Sequence, residues 1–277
     1  MIENLDQNQI IFIILAMVVS AVPVGFMAGL FGIGGGLITV PVLFYIFNFI
    51  GLEQNFIMHL AVGTSFSIII PTSIISTMTH MKYKAVDLKI VKTFGLFVIL
   101  GVILGTLFAA NLKTASLILF FSAMTMFFSI IFLTSKEKIN PEKREINLFL
   151  RIILGFSSGF LSAPMGIGGG IINTPIIKMF GYSINTAIGS SAAIGFLIAL
   201  VGAIGFAITG SYLNIEAPLS IGFVNIPAFL IFVPITMFMA KVGAKTVHKV
   251  DRKLIGKLFG IFLLFVSCRL FYEYFTI

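Results

Sequence analysis

Two short glycine clusters carry the residues whose types and spacing could do chemistry. Gly32-Ile33-Gly34-Gly35-Gly36 places four glycines in five residues, and Gly166-Ile167-Gly168-Gly169-Gly170 repeats it 134 positions later. Small residues at this density suit close helix packing. A helix break is the favoured reading, because clustered glycines destabilise a helix interior. Pro41 and Pro175 follow at the same offset. Proline suits a first helical turn, where its missing N–H has no bond to lose. Thr39 and Asn173 stand just ahead as capping types, and Thr174 is an alternative cap in the second copy. New helices are therefore expected from near 39–41 and 173–175. Their free amides carry roughly half a positive charge and attract anions. The candidate anion site comprises Gly34, Gly35, Gly36, Thr39 and Pro41, with Gly168, Gly169, Gly170, Asn173, Thr174 and Pro175.

Hydroxyls recur beside these clusters. Ala61-Val62-Gly63-Thr64-Ser65 matches Ala187-Ile188-Gly189-Ser190-Ser191. Thr64, Ser65, Ser190 and Ser191 could donate to an oxyanion without a buried charge. They could equally back-bond to their own helices or join neighbouring ones; both readings stand.

Other chemistries find no residues. A dinucleotide fingerprint would need glycine at 37 and meets Leu37, and no P-loop, metalloprotease or serine-hydrolase signature occurs. No metal site is expected, since the one cysteine, Cys268, lies in an apolar run. His80 and His248 fall in basic loops and read as interfacial. His59, near the outer end of an apolar run, reads as an interfacial polar residue, with proton carriage as the alternative. All ten acids fall in loops or at the ends of apolar runs. Cation pumps need a carboxylate at depth, so this distribution argues against a cation substrate. No cofactor is implied.

The elements that would position these residues are membrane helices. Of 277 residues, 58% are hydrophobic and only 10% charged, with a mean hydropathy of +1.12. A chain of this size has too little interior to bury that much apolar surface. Crossing a bilayer takes about 20 apolar residues. Full-length runs occupy 9–31, 57–79, 90–110, 115–134, 186–209, 217–240 and 254–275; 148–165 is slightly short, and 37–50 and 171–180 are clearly short. The acidic N-terminal residues do not resemble a secretory leader. The net charge of +8 does not indicate nucleic-acid binding, because the bases sit in short loops. Sixteen of the eighteen lie in 80–92, 135–151, 178–185 and 241–257, while the alternate loops are nearly bare. Basic loops mark the cytoplasmic side, which puts both termini outside.

The repeat divides the chain into a first membrane unit (1–134), a basic linker (135–150) and a second unit (151–277). Each unit holds five helical pieces, an odd number, so the second runs through the membrane in the opposite sense. The expected fold is an all-α polytopic membrane protein of two inverted repeats. Inverted repeats are typical of secondary transporters that hold substrate near the midplane at broken helices.

The doubled G-x-x-x-G-I-G-G-G-x-[IL]-x-x-P segment, the A-[VI]-G-[ST]-S pair and the His80-x-Lys82-x-x-x-Val86-Asp87 stretch resemble the TauE/SafE family. The likeness covers nearly the whole chain. It implies a bacterial inner-membrane permease that exports sulfite or short organosulfonates. Two positions depart from the pattern: Val40 stands where the second half has Thr174, and Lys84-Ala85 stands where a glycine is expected. The expected partners are a small anionic substrate and the lipid bilayer, with no nucleic acid. The rivals are a channel or permease for another small anion, and a membrane-embedded enzyme, which would need a nucleophile–base or acid pair at depth.

Overall fold

The computed structural model describes residues 6–134, 147–213, 217–247 and 252–276. Most of the basic linker, Glu216 and His248 lie outside them. The described chain forms ten helices: α1 Gln7–Phe31, α2 Gly36–Phe49, α3 Ile57–Lys82, α4 Leu88–Ala110, α5 Thr114–Thr134, α6 Leu148–Met165, α7 Gly170–Met179, α8 Ile184–Tyr212, α9 Ile226–Thr246 and α10 Arg252–Thr276. Eight are long and apolar enough to cross a membrane; α2 and α7 are the short ones.

The expected run 217–240 is corrected in register. Residues 220–225 form a two-stranded hairpin (β1 Ser220–Ile221, β2 Val224–Asn225), turned at Gly222 with φ 53°. Only then does α9 begin. Asn225 Oδ1 accepts the Ala228 amide at 3.0 Å, and Pro227 pre-sets the first turn. The helix then runs through Thr246, so Lys241 and Lys245 lie on it rather than in a loop.

Packing exchanges the two halves. α1 lies against α9 as α6 lies against α4; α3 pairs with α8 and α5 with α10; α3–α9 matches α8–α4, and α2–α3 matches α7–α8. Small residues permit the closest pairs. A β-carbon on Gly25 or Gly29 would strike the α9 backbone at Thr236 or Ala240, and Gly101 and Gly159 press on α6 and α4 in the same way. The α3 helix is the buried centre, whereas α1, α4 and α10 expose rows of large apolar side chains such as Leu100, Leu104 and Leu107.

Equivalent loops lie at opposite ends of α3, which is about 39 Å long. Residues 52–57 meet Ala217 and Pro218 at its N-terminal end. Residues 84–88 meet 181–186 at its C-terminal end, around a depression of about 590 Å³.

Candidate functional site

Both glycine clusters interrupt the helices by adopting left-handed backbone. Gly32 ends α1 at φ 67° and Gly166 ends α6 at φ 61°. Gly35 (φ 87°) and Gly169 (φ 66°) then cap α2 and α7. Glycine reaches these angles without a steric penalty, so the caps need no side chain. Gly35 O accepts the amides of Ile38 and Thr39 at 3.0 and 3.1 Å; Gly169 O accepts those of Ile172 and Asn173 at 3.0 and 2.7 Å. The amides of Gly36 and Leu37, and of Gly170 and Ile171, have no acceptor within their own helices.

The helices therefore start three to five residues earlier than the capping types and prolines suggested. Thr39, Asn173 and Thr174 are not caps. Pro41 and Pro175 are interior residues of α2 and α7 rather than first-turn ones. Thr39 Oγ1 bonds back to Gly35 O at 3.1 Å, and Thr174 Oγ1 donates to Ser191 Oγ at 3.0 Å.

The two breaks touch. A β-carbon on Gly34 would lie 3.3 Å from Gly168 Cα; one on Gly36 would collide with Gly166 O, and one on Gly170 with Gly32 O. Helix breaking and close packing thus occur at the same residues. Residues 32–41 and 162–171 are all buried. Ile69 fills the space beside Gly34 and Gly168; its counterpart in the other half is Gly195, which packs on Gly168 O.

The hydroxyl segments are joints between the halves. A β-carbon on Gly63 would collide with Phe223 O, and one on Gly189 with Ala85 O. Beside these contacts, Thr64 Oγ1 accepts the Asn225 amide at 2.8 Å and Ser190 Oγ accepts the Asp87 amide at 2.9 Å. Asn225 and Asp87 are the caps of α9 and α4. The glycine admits the loop carbonyl and the hydroxyl takes the loop amide. The second serine turns toward a break: Ser65 Oγ donates to Gly166 O at 2.8 Å, and Ser191 meets Thr174.

The family model of the sulfite exporter TauE/SafE matches residues 16–270. The chain belongs to the TauE/SafE family. It is 31% identical over 260 residues to a probable membrane transporter protein of Haemophilus influenzae, covering 94% of this chain and 98% of that one. A probable membrane transporter protein of Methanocaldococcus jannaschii is 29% identical, with 96% and 99% covered. One from Bacillus subtilis is 28% identical, with 93% and 97% covered. No solved structure gives a significant match. This TauE/SafE protein is a multi-pass membrane protein and a membrane transporter.

Three features of the TauE/SafE chain were not read from its sequence. First, two histidines are core residues rather than interfacial ones. His59 is 1% exposed, donates from Nε2 to Ala109 O at 3.1 Å and stacks on Phe223; His80 is fully buried, with Nε2 3.1 Å from Gly29 O. Both ride on α3, whose neighbours close over its ends. His59 also lies ten residues before Ile69, roughly 15 Å along the helix from the breaks. Second, Ser158 and Ser162 on α6 are fully buried, and Ser158 donates to Asn173 Oδ1. Third, Lys84 holds φ 52°, the angle of its counterpart Gly222 at φ 53°. The glycine expected there is missing, but the glycine conformation is kept.

Proposed function

We propose that this membrane transporter exports small sulfur-containing oxyanions, sulfite or short organosulfonates, across a bacterial inner membrane. One observation carries the reading: two left-handed glycine caps bring the starts of α2 and α7 together in the buried centre. Non-helical backbone at such depth is tolerated where protein buries it or where it lines a passage. The amides of Gly36, Leu37, Gly170 and Ile171 supply donors without a fixed charge, which suits an anion that must also leave. Ser65 and Ser191 border the same breaks.

Charge supports the direction. The depression at the C-terminal end of α3 is lined by Lys84, Asp87, Ser183 and Thr186, with Lys82, Lys89 and Lys178 on the adjoining ends of α3, α4 and α7. A basic mouth concentrates anions at the cytoplasmic face. On this reading both termini are outside, 135–150 is a cytoplasmic linker, and 1–134 and 151–277 are inverted repeats. The exchange of helix packing and the placement of equivalent loops at opposite ends of α3 support that arrangement. Among the described residues the acids Asp6, Glu53, Asp87 and Glu273 cap helices or lie in loops or near a helix end, which disfavours a cation substrate.

The test is counterflow of labelled sulfite in proteoliposomes. Wild-type protein exchanges sulfite above protein-free vesicles, and Gly35→Leu and Gly169→Leu lose exchange while still inserting. Normal exchange in both variants would remove the breaks as the site; absence of exchange for sulfite and for short sulfonates in the wild type would remove the substrate class.

A further inference from the structure

The two glycine breaks are alike in backbone and unlike in what surrounds them. At the second, two polar atoms converge on Gly169. Asn173 Nδ2 lies 2.9 Å, and Ser162 Oγ 3.2 Å, from the point where a β-carbon on Gly169 would sit. Both side chains are fully buried, and neither atom has a hydrogen-bond partner. Ser158 holds the other end of the amide by donating to Asn173 Oδ1, which leaves Nδ2 turned toward Gly169. Buried polar atoms are normally bonded, and an orphaned pair costs stability unless something else occupies the place.

The equivalent wall at the first break is apolar. Val24 and Ala28 stand where Ser158 and Ser162 stand, and a β-carbon on Gly35 would meet Val24 Cγ1 at 2.7 Å. Thr39, the counterpart of Asn173, has its hydroxyl bonded to Gly35 O. Farther out the polarity reverses, and apolar Ile198 matches Thr72. Ile198 Cδ1 lies against Gly169 and closes the space there, and it is the mobile end of a side chain rather than backbone.

We propose that the substrate anion is held off the central axis, at the second break alone. Asn173 Nδ2–H and Ser162 Oγ–H donate to its oxygens beside the α7 N-terminus, and Ile198 covers it. The proposal rests on the oxyanion reading above and narrows it: α7 starts the binding subsite, and α2 supplies its apolar counterpart. Two side-chain donors that find no internal acceptor require an acceptor from outside, which an oxyanion provides and a cation does not.

The test uses purified full-length protein in detergent, with sodium sulfite as probe and thermal unfolding as readout. Wild-type protein gains Tm with sulfite. Ser162→Ala and Asn173→Ala weaken that response by roughly tenfold in apparent affinity each, and Thr39→Val leaves it unchanged. Without sulfite, Ser162→Ala keeps or raises Tm, because the lost hydroxyl bonded nothing inside the protein. A fall in that Tm would mean an internal partner and overturn the proposal. So would a sulfite response that survives in Ser162→Ala, or one lost in Thr39→Val. Should Asn173→Ala fail to fold, Ser162→Ala alone decides, since it removes one oxygen. Absence of any wild-type response to sulfite, together with absence of flux, would instead fail the parent reading.

Discussion

Ser190 Oγ accepts the amide of Asp87 at 2.9 Å, tying the cap of α4 to the middle of the opposite half of the chain. Thr64 does the same for Asn225 and α9 at 2.8 Å, at the other end of α3. Removing either oxygen leaves a loop amide without an acceptor, at a cost of about 1–3 kcal/mol. The Asn225 amide is buried and the Asp87 amide only partly so. Thr64→Val should therefore lower the unfolding temperature more than Ser190→Ala, and Thr64→Ser should be near neutral. Thermal unfolding in detergent checks the order.

Contact between the breaks makes a second prediction. A β-carbon at Gly36 or Gly170 would collide with a carbonyl of the opposite break, whereas one at Gly256 meets its nearest atom at an ordinary 3.5 Å. Gly36→Ala and Gly170→Ala should each cut the yield of monodisperse protein severely. Gly256→Ala should match the wild type. Gel-filtration profiles after membrane extraction measure this.

Lys84 is a third test, because it holds a left-handed angle that costs a side chain about 1–2 kcal/mol. Lys84→Gly relieves that strain and removes a positive charge from the mouth of the basic depression. The variant should unfold at a higher temperature yet take up anions from that face more slowly at low salt. The rate difference should shrink as salt screens the charge.

Much of this architecture was legible because bilayer helices are written in long apolar runs, and glycine clusters have few structural uses. Helix starts were misplaced at both breaks because a left-handed glycine caps with its backbone. Thr39 and Asn173 looked like caps only in the absence of that geometry. The start of α9 was missed since Ile221, Phe223 and Val224 of the hairpin join the apolar run that follows. Burial of His59 and His80 depends on which neighbours close over α3, which no local pattern encodes. Ser158 and Ser162 carried one readable sign: Val24 and Ala28 occupy the matching positions in the other repeat, so the polarity there is specific to the second half.

Sidedness is tested by labelling. In a Cys268→Ser background, Leu213→Cys should react with an impermeant thiol reagent applied outside intact cells, and Tyr83→Cys should not. Position 83 should react only after the membrane is opened. The reverse pattern would invert the assignment of the basic loops.

On the proposed function, the protein moves an anion outward with no coupling carboxylate at depth. An inside-negative membrane favours anion exit by about 2.3 kcal/mol per charge per 100 mV. The decisive measurement is efflux of labelled sulfite from proteoliposomes whose interior is made negative with potassium and valinomycin. Efflux should accelerate with the imposed potential and need no pH gradient. A strict requirement for a pH gradient, with no response to potential, would contradict it and make His59, with its buried and unpartnered Nδ1, the first residue to replace.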